Sequence, residues 1–74
     1  MTTNTIINKT MEQIERNYRM AKSMDSIADR MAFLNQAFGM VQLAVVLVPV
    51  EEFDKLNDLW DGYKHKFENL IYGI

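Results

Sequence analysis

A chain of 74 residues with 49% hydrophobic and 24% charged side chains has the make-up of one folded domain with a single small core, not of a disordered segment. Its net charge of -2 argues against a dedicated nucleic-acid binder, which needs a basic face to displace the counterions of phosphate. With no cysteine and one histidine, neither disulfides nor a structural zinc can supplement the core, so oligomerisation or a partner protein is the expected staple.

The first nine residues, Met1 to Lys9, lack the charged start and long apolar run of a signal peptide. A cytoplasmic chain is expected, which the missing cysteines also suit. The glycosylation-type triplet Asn8-Lys9-Thr10 is then a chance match. Ile7, Met11, Ile14, Tyr18 and Ala21 step by four and three and make one stripe of a helix over residues 5–22, with Thr3, Asn4 or Thr5 as its cap. Glu12 with Arg16 and Glu15 with Arg19 are acid-first pairs one turn apart, so the opposite side is a solvated helix surface.

The stripe loses phase at Asp25. The segment Lys22 to Ser26 offers cap residues, with Ser26 and Asp29 approximating a capping box, and a tight turn is expected there; a single long bent helix is the alternative. The pattern resumes as Ile27, Met31, Leu34, Phe38, Val41, Val45 and Val48, predicting a second helix over 26–48. A further apolar set widens that stripe until little polar surface remains, so this helix is expected to be the central, most buried element. Gly39 within it would mark a close helix crossing. From Met40 to Val50 only Gln42 is polar. That run is too short to cross a bilayer, which takes about 20 residues, and no membrane span is expected.

Pro49 ends the second helix and starts a third, over 50–73, with Glu51, Glu52 and Asp54 at its positive end. Phe53, Leu56, Trp60, Tyr63, Phe67, Leu70 and Ile74 form its seam, and Gly73 frays its end. The prediction is all-α: a single helical domain over 1–74, a three-helix bundle built on a long antiparallel hairpin of the second and third helices with coiled-coil-like packing.

His65, Asp58, Asp61 and Glu68 fall on the helix positions farthest from the aromatic seam, which makes them a solvated face and not a metal site. No phosphate-cradling glycine loop, nucleophile elbow or zinc-helix motif is present, so neither catalysis nor a cofactor is expected. A helix apolar on all sides cannot be covered by two short neighbours, and the side carrying Leu43, Val46 and Leu47 is expected to stay open for a second subunit or a target. Met20 and Met24, flexible side chains at the first corner, are further candidates for partner contact. The expected function is that of a small, non-enzymatic, homo-oligomeric interaction protein, a regulator or inhibitor of the kind phages encode, which binds another protein. The alternative is an oligomeric module holding a small anion such as a nucleotide through Arg16, Tyr18, Arg19, Lys22 and Arg30.

Overall fold

Local chemistry at each helix end sets the architecture. In the computed structural model, which describes residues 2–73, α1 (Thr3–Lys22) begins where Thr2, extended in its backbone, accepts the Thr5 N–H on its hydroxyl at 3.2 Å. The cap therefore lies one residue before the three candidates, Thr3, Asn4 and Thr5, all of which fall inside the helix. Thr2 is the hydroxyl that can reach a free first-turn amide from outside the helix. At the other end the Ser23 N–H reaches the carbonyls of Arg19 and Met20, and Met24 N–H that of Ala21, tightening the last turn. The chain then turns, as expected, and does not run on as a bent helix.

Ser26 caps α2 (Ile27–Leu47) by accepting the Asp29 N–H at 3.4 Å. Val48 is extended, the conformation favoured before proline. The third helix does not start at Pro49, because the proline is itself extended; a 3-10 turn over Val50–Glu52 intervenes before α3 (Phe53–Tyr72). Gly73 does not fray this end. It adopts the left-handed conformation at φ 73° and donates to the Asn69 carbonyl at 2.9 Å, a closure for which glycine is suited. Ile74 lies outside the described residues.

The three helices form a bundle 37 × 21 × 14 Å. Near one end Lys55 Nζ donates to Asn4 Oδ1 at 3.3 Å, and farther along the Tyr18 and Phe67 rings meet edge to face at 5.4 Å. Residue numbers thus rise together along α1 and α3. Along α2 they run the other way: Asn17 Nδ2 lies 3.5 Å from the Phe33 carbonyl, and Arg30 Nη1 donates to the Leu70 carbonyl at 3.0 Å.

The core is built from Ile7, Ile14 and Ala21 of α1, Ala37, Val41 and Ala44 of α2, Val48, and Leu56, Trp60 and Phe67 of α3. The stripes of α1 and α3 are those of the sequence, with Met11, Tyr18, Phe53, Tyr63 and Leu70 packed at their margins. The inner face of α2 follows the sequence only in part: Val41 and Val48 of the expected seam are buried and Leu34 and Val45 pack beside them. Ile27, Met31 and Phe38, expected in its seam, are exposed, and the buried line is Ala37, Val41, Ala44 and Val48 with Phe33, Leu34, Met40 and Val45 beside it. A helix apolar all round has no polar side to orient it, and packing has turned the line through Ala37, Val41 and Ala44 inward while leaving Ala28, Ala32 and Gly39 outside. Consequently α2 is central in the chain but not the most buried element. Gly39 lies on its outside, where an added Cβ would meet nothing within 4 Å, so no helix of the chain crosses there.

Candidate interaction surface

The outer side of α2 is the dominant surface feature. Leu43 is 62% exposed, Val46 79%, Leu47 56% and the adjoining Val50 67%, while Ala37, Val41 and Ala44 on the reverse are buried. Large side chains left in water in a contiguous row are characteristic of a contact surface and not of a scattered apolar residue or two. Leu43 and Leu47, with Met40 and Ala44, also line a cleft of about 220 Å³ against Lys9, Thr10 and Gln13 of α1. Met20 follows Gln13 two turns later on α1 and is exposed. Met24 is separated from these by the corner, where it is half-buried.

By length and composition α2 could cross a membrane: its 21 residues span about 30 Å, and its charges are confined to Asp29 and Arg30 near its start. The expectation of no span considered the run from Met40 alone; the helix extends thirteen residues further toward the N-terminus.

A second apolar surface lies between α2 and α3. Phe38 and Trp60 meet at 6.1 Å with their rings tilted by 49°, and with Leu34, Asn35, Lys64, Glu68 and Tyr72 they line a cleft of about 190 Å³. Sequence reasoning placed Phe38 in the core and so missed this surface. The signal for it was Tyr72, an aromatic off the seam of α3.

The five residues considered for anion binding do not converge. Arg16 and Arg19 line an open groove of about 600 Å³ with Glu12, Glu15 and Tyr63, and Arg19 Nε pairs with Glu15 Oε1 at 3.3 Å. Tyr18 and Lys22 form a separate group: Lys22 Nζ is 5.7 Å from the Tyr18 ring, and Lys66 Nζ, which the sequence did not single out, lies 5.9 Å from Tyr18 and 4.9 Å from Tyr63. Arg30 is elsewhere again, its Nε on the Met24 carbonyl at 2.9 Å and its Nη1 on that of Leu70.

Within the groove, the Tyr63 hydroxyl beside Glu15 holds that carboxyl below its ordinary range, with Arg19 adding to the effect against the opposing cost of burial. Burial, and then the neighbouring carboxylate, push the Tyr63 phenol up. Glu15 therefore contributes stability above the ordinary carboxylate pKa, lost as pH falls through its lowered value. Tyr63 contributes stability below the ordinary phenol pKa, lost as pH rises through its raised value. Tyr63→Phe is expected to flatten both limbs of a plot of melting temperature against pH. An unchanged acid limb in that variant would show that the hydroxyl does not act on Glu15.

His65 is exposed, with Nδ1 3.6 Å from Glu68 Oε1. Among the described residues no group of three or more His, Asp or Glu side chains is placed to hold a metal ion. Two core residues were missed. Ile71 stood one position from the predicted seam, and Asn17, polar yet buried, interrupts the stripe of α1. No known family model, curated protein or solved structure matches the chain.

Proposed function

We propose that this chain is a small, non-enzymatic, homo-oligomeric interaction protein, a regulator or inhibitor that works in the cytoplasm by occupying a surface of another protein. The observation that carries the reading is the exposed row Leu43, Val46 and Leu47 on a helix whose other side is already packed, with exposed Val50 just beyond its end. Covering such a row removes apolar area from water at about 25 cal/mol per Å², a driving force for association that the folded chain leaves unused. The chemistry elsewhere supports contact as the mode of action: in the groove Arg19 is paired with Glu15, and Arg30 serves backbone carbonyls. Met20 and the Phe38–Trp60–Tyr72 cleft provide further adaptable, aromatic contact area of the kind that anchors interfaces.

The test is affinity capture from host cytoplasm with the tagged chain beside its Leu43→Lys, Val46→Lys double variant. Both positions are exposed, so the variant keeps its helical content. Proteins retained by the parent chain and lost from the variant are the expected result, since the face builds the oligomer through which the target is bound; identical captures from both would refute a role for this face.

A further inference from the structure

We infer that the outer face of α2 is the contact of a two-fold homodimer, in which α2 of one copy lies antiparallel on α2 of the other with the crossing point at Gly39. This rests on the reading of the face as an interaction surface and names its occupant. Three observations select a second copy in that orientation.

The first is the distribution of side-chain size. Outward from Gly39 toward the N-terminus the exposed face carries the polar Asn35 and Gln36 and then the small residues Ala32 and Ala28, with Met31 and Phe38 along one edge; toward the C-terminus it carries Gln42 and the bulky Leu43 and Val46. A two-fold axis at Gly39 sets residue 46 of one copy against residue 32 of the other, twice over. Val46 then fills the space above Ala32, and Leu43 falls opposite Asn35, one turn from Gly39. A parallel pair would set bulky on bulky at one end and leave small facing small at the other, a poorly filled contact.

The second is Gly39 itself. It sits in the middle of α2 with nothing within 4 Å of where its Cβ would be. Glycine is among the poorest residues for a helix interior, and no neighbour in the chain calls for it. A crossing helix from a second copy does, because two backbones approach closely only where side chains are absent.

The third is charge. Asp29 and Leu47 are eighteen residues, five turns, apart and share one edge of the face. Leu47 shares its cleft with Lys9. The two-fold operation carries Asp29 of each copy toward the Leu47 end of the other, where Lys9 stands, and it keeps the two α1 helices on the same side.

The chain has no cysteine, so introduced thiols report the geometry directly. Ala32 and Val46 are exposed, and the single variants Ala32→Cys and Val46→Cys should keep parental circular dichroism. In the proposed dimer the two copies of residue 46 are about 21 Å apart, far beyond the roughly 7 Å between Cα atoms that a disulfide tolerates. Oxidation should therefore leave each variant alone uncrosslinked, and should join them when the two are mixed. The parent chain should sediment as a dimer and Val46→Glu as a folded monomer.

A dimer in which Val46→Cys crosslinks to itself would overturn the antiparallel arrangement while leaving the interaction reading in place. A monomeric parent whose Leu43 photo-crosslinks to a host protein would overturn the second copy as occupant, again leaving that reading in place. A monomeric parent that floats with phospholipid vesicles through the same face would overturn both.

Discussion

Phe67→Ala is expected to yield a chain with no cooperative thermal transition and little helical signal at 25 °C. Phe67 is the largest of the fully buried side chains, and it is the one against whose ring Tyr18 stands edge-on at 5.4 Å. Emptying that volume costs about 3 to 5 kcal/mol in transfer and cavity energy, and the aromatic pair is lost with it. A core built by 74 residues supplies roughly that much in total, so the loss is not a weakening but an unfolding. Three of the nine other core residues, Ala21, Ala37 and Ala44, have no side chain that can shift to fill the void. Phe67→Leu, which keeps most of the volume, should still melt cooperatively at lower temperature. Circular dichroism melts of the two variants make the check, and a cooperative Phe67→Ala transition within a few degrees of the parent would show that the core lies elsewhere.

The second large effect is expected at Arg30. Its guanidinium donates to two backbone carbonyls that lie far apart in sequence, Met24 in the corner between α1 and α2 and Leu70 in the last turn of α3. Carbonyls in a last helical turn lack partners in their own helix, and a cation placed there also complements the helix dipole. Arg30→Met preserves length and packing but removes both bonds. With charge-assisted bonds worth about 1.5 to 3 kcal/mol and the side chain partly screened by solvent, a loss of about 2 kcal/mol is expected. In a domain of this size that lowers the melting temperature by about 10 °C. Arg30→Lys should not restore it, since an ammonium point charge lacks the fork that spans two acceptors. An Arg30→Lys chain as stable as the parent would mean that charge alone, not the double bond, does the fastening.

What the sequence made legible follows from how each helix meets water. α1 and α3 each have one wet side, and their stripes locate the core side from Ile7 to Ala21 and from Leu56 to Phe67. Ser26 and Pro49 are residues with local mechanisms, and both corners are where they put them. α2 offers no such contrast. Its periodicity fits two opposite faces, and only the volumes of the neighbours decide that Ala37 and Ala44 turn inward while Phe38 turns out. That same lack of contrast is why Leu43, Val46 and Leu47 could be recognised as surplus: once two neighbours are placed, some of the apolar surface has nothing to cover it. The role of Arg30 was hidden for a different reason. Its two acceptors are main-chain atoms, one of them forty positions away, and no side-chain pattern announces them. Asn17 was hidden likewise, its nearest acceptor being the backbone of Phe33.

The connections have a consequence for how quickly the fold is found. α1 joins α2 through Ser23 to Ser26, and α2 joins α3 through Val48, Pro49 and a single 3-10 turn. Thr2, Ser26 and Gly73 close helix ends with hydrogen bonds made inside their own segments. Short links cost little closure entropy, and folds dominated by neighbouring-helix contacts reach the native state on the order of microseconds to milliseconds. The bond from Arg30 to Leu70 is among the contacts that must wait for the whole chain, since its partners are forty residues apart. It latches α3 after the helices have met, so breaking it should speed unfolding far more than it slows folding.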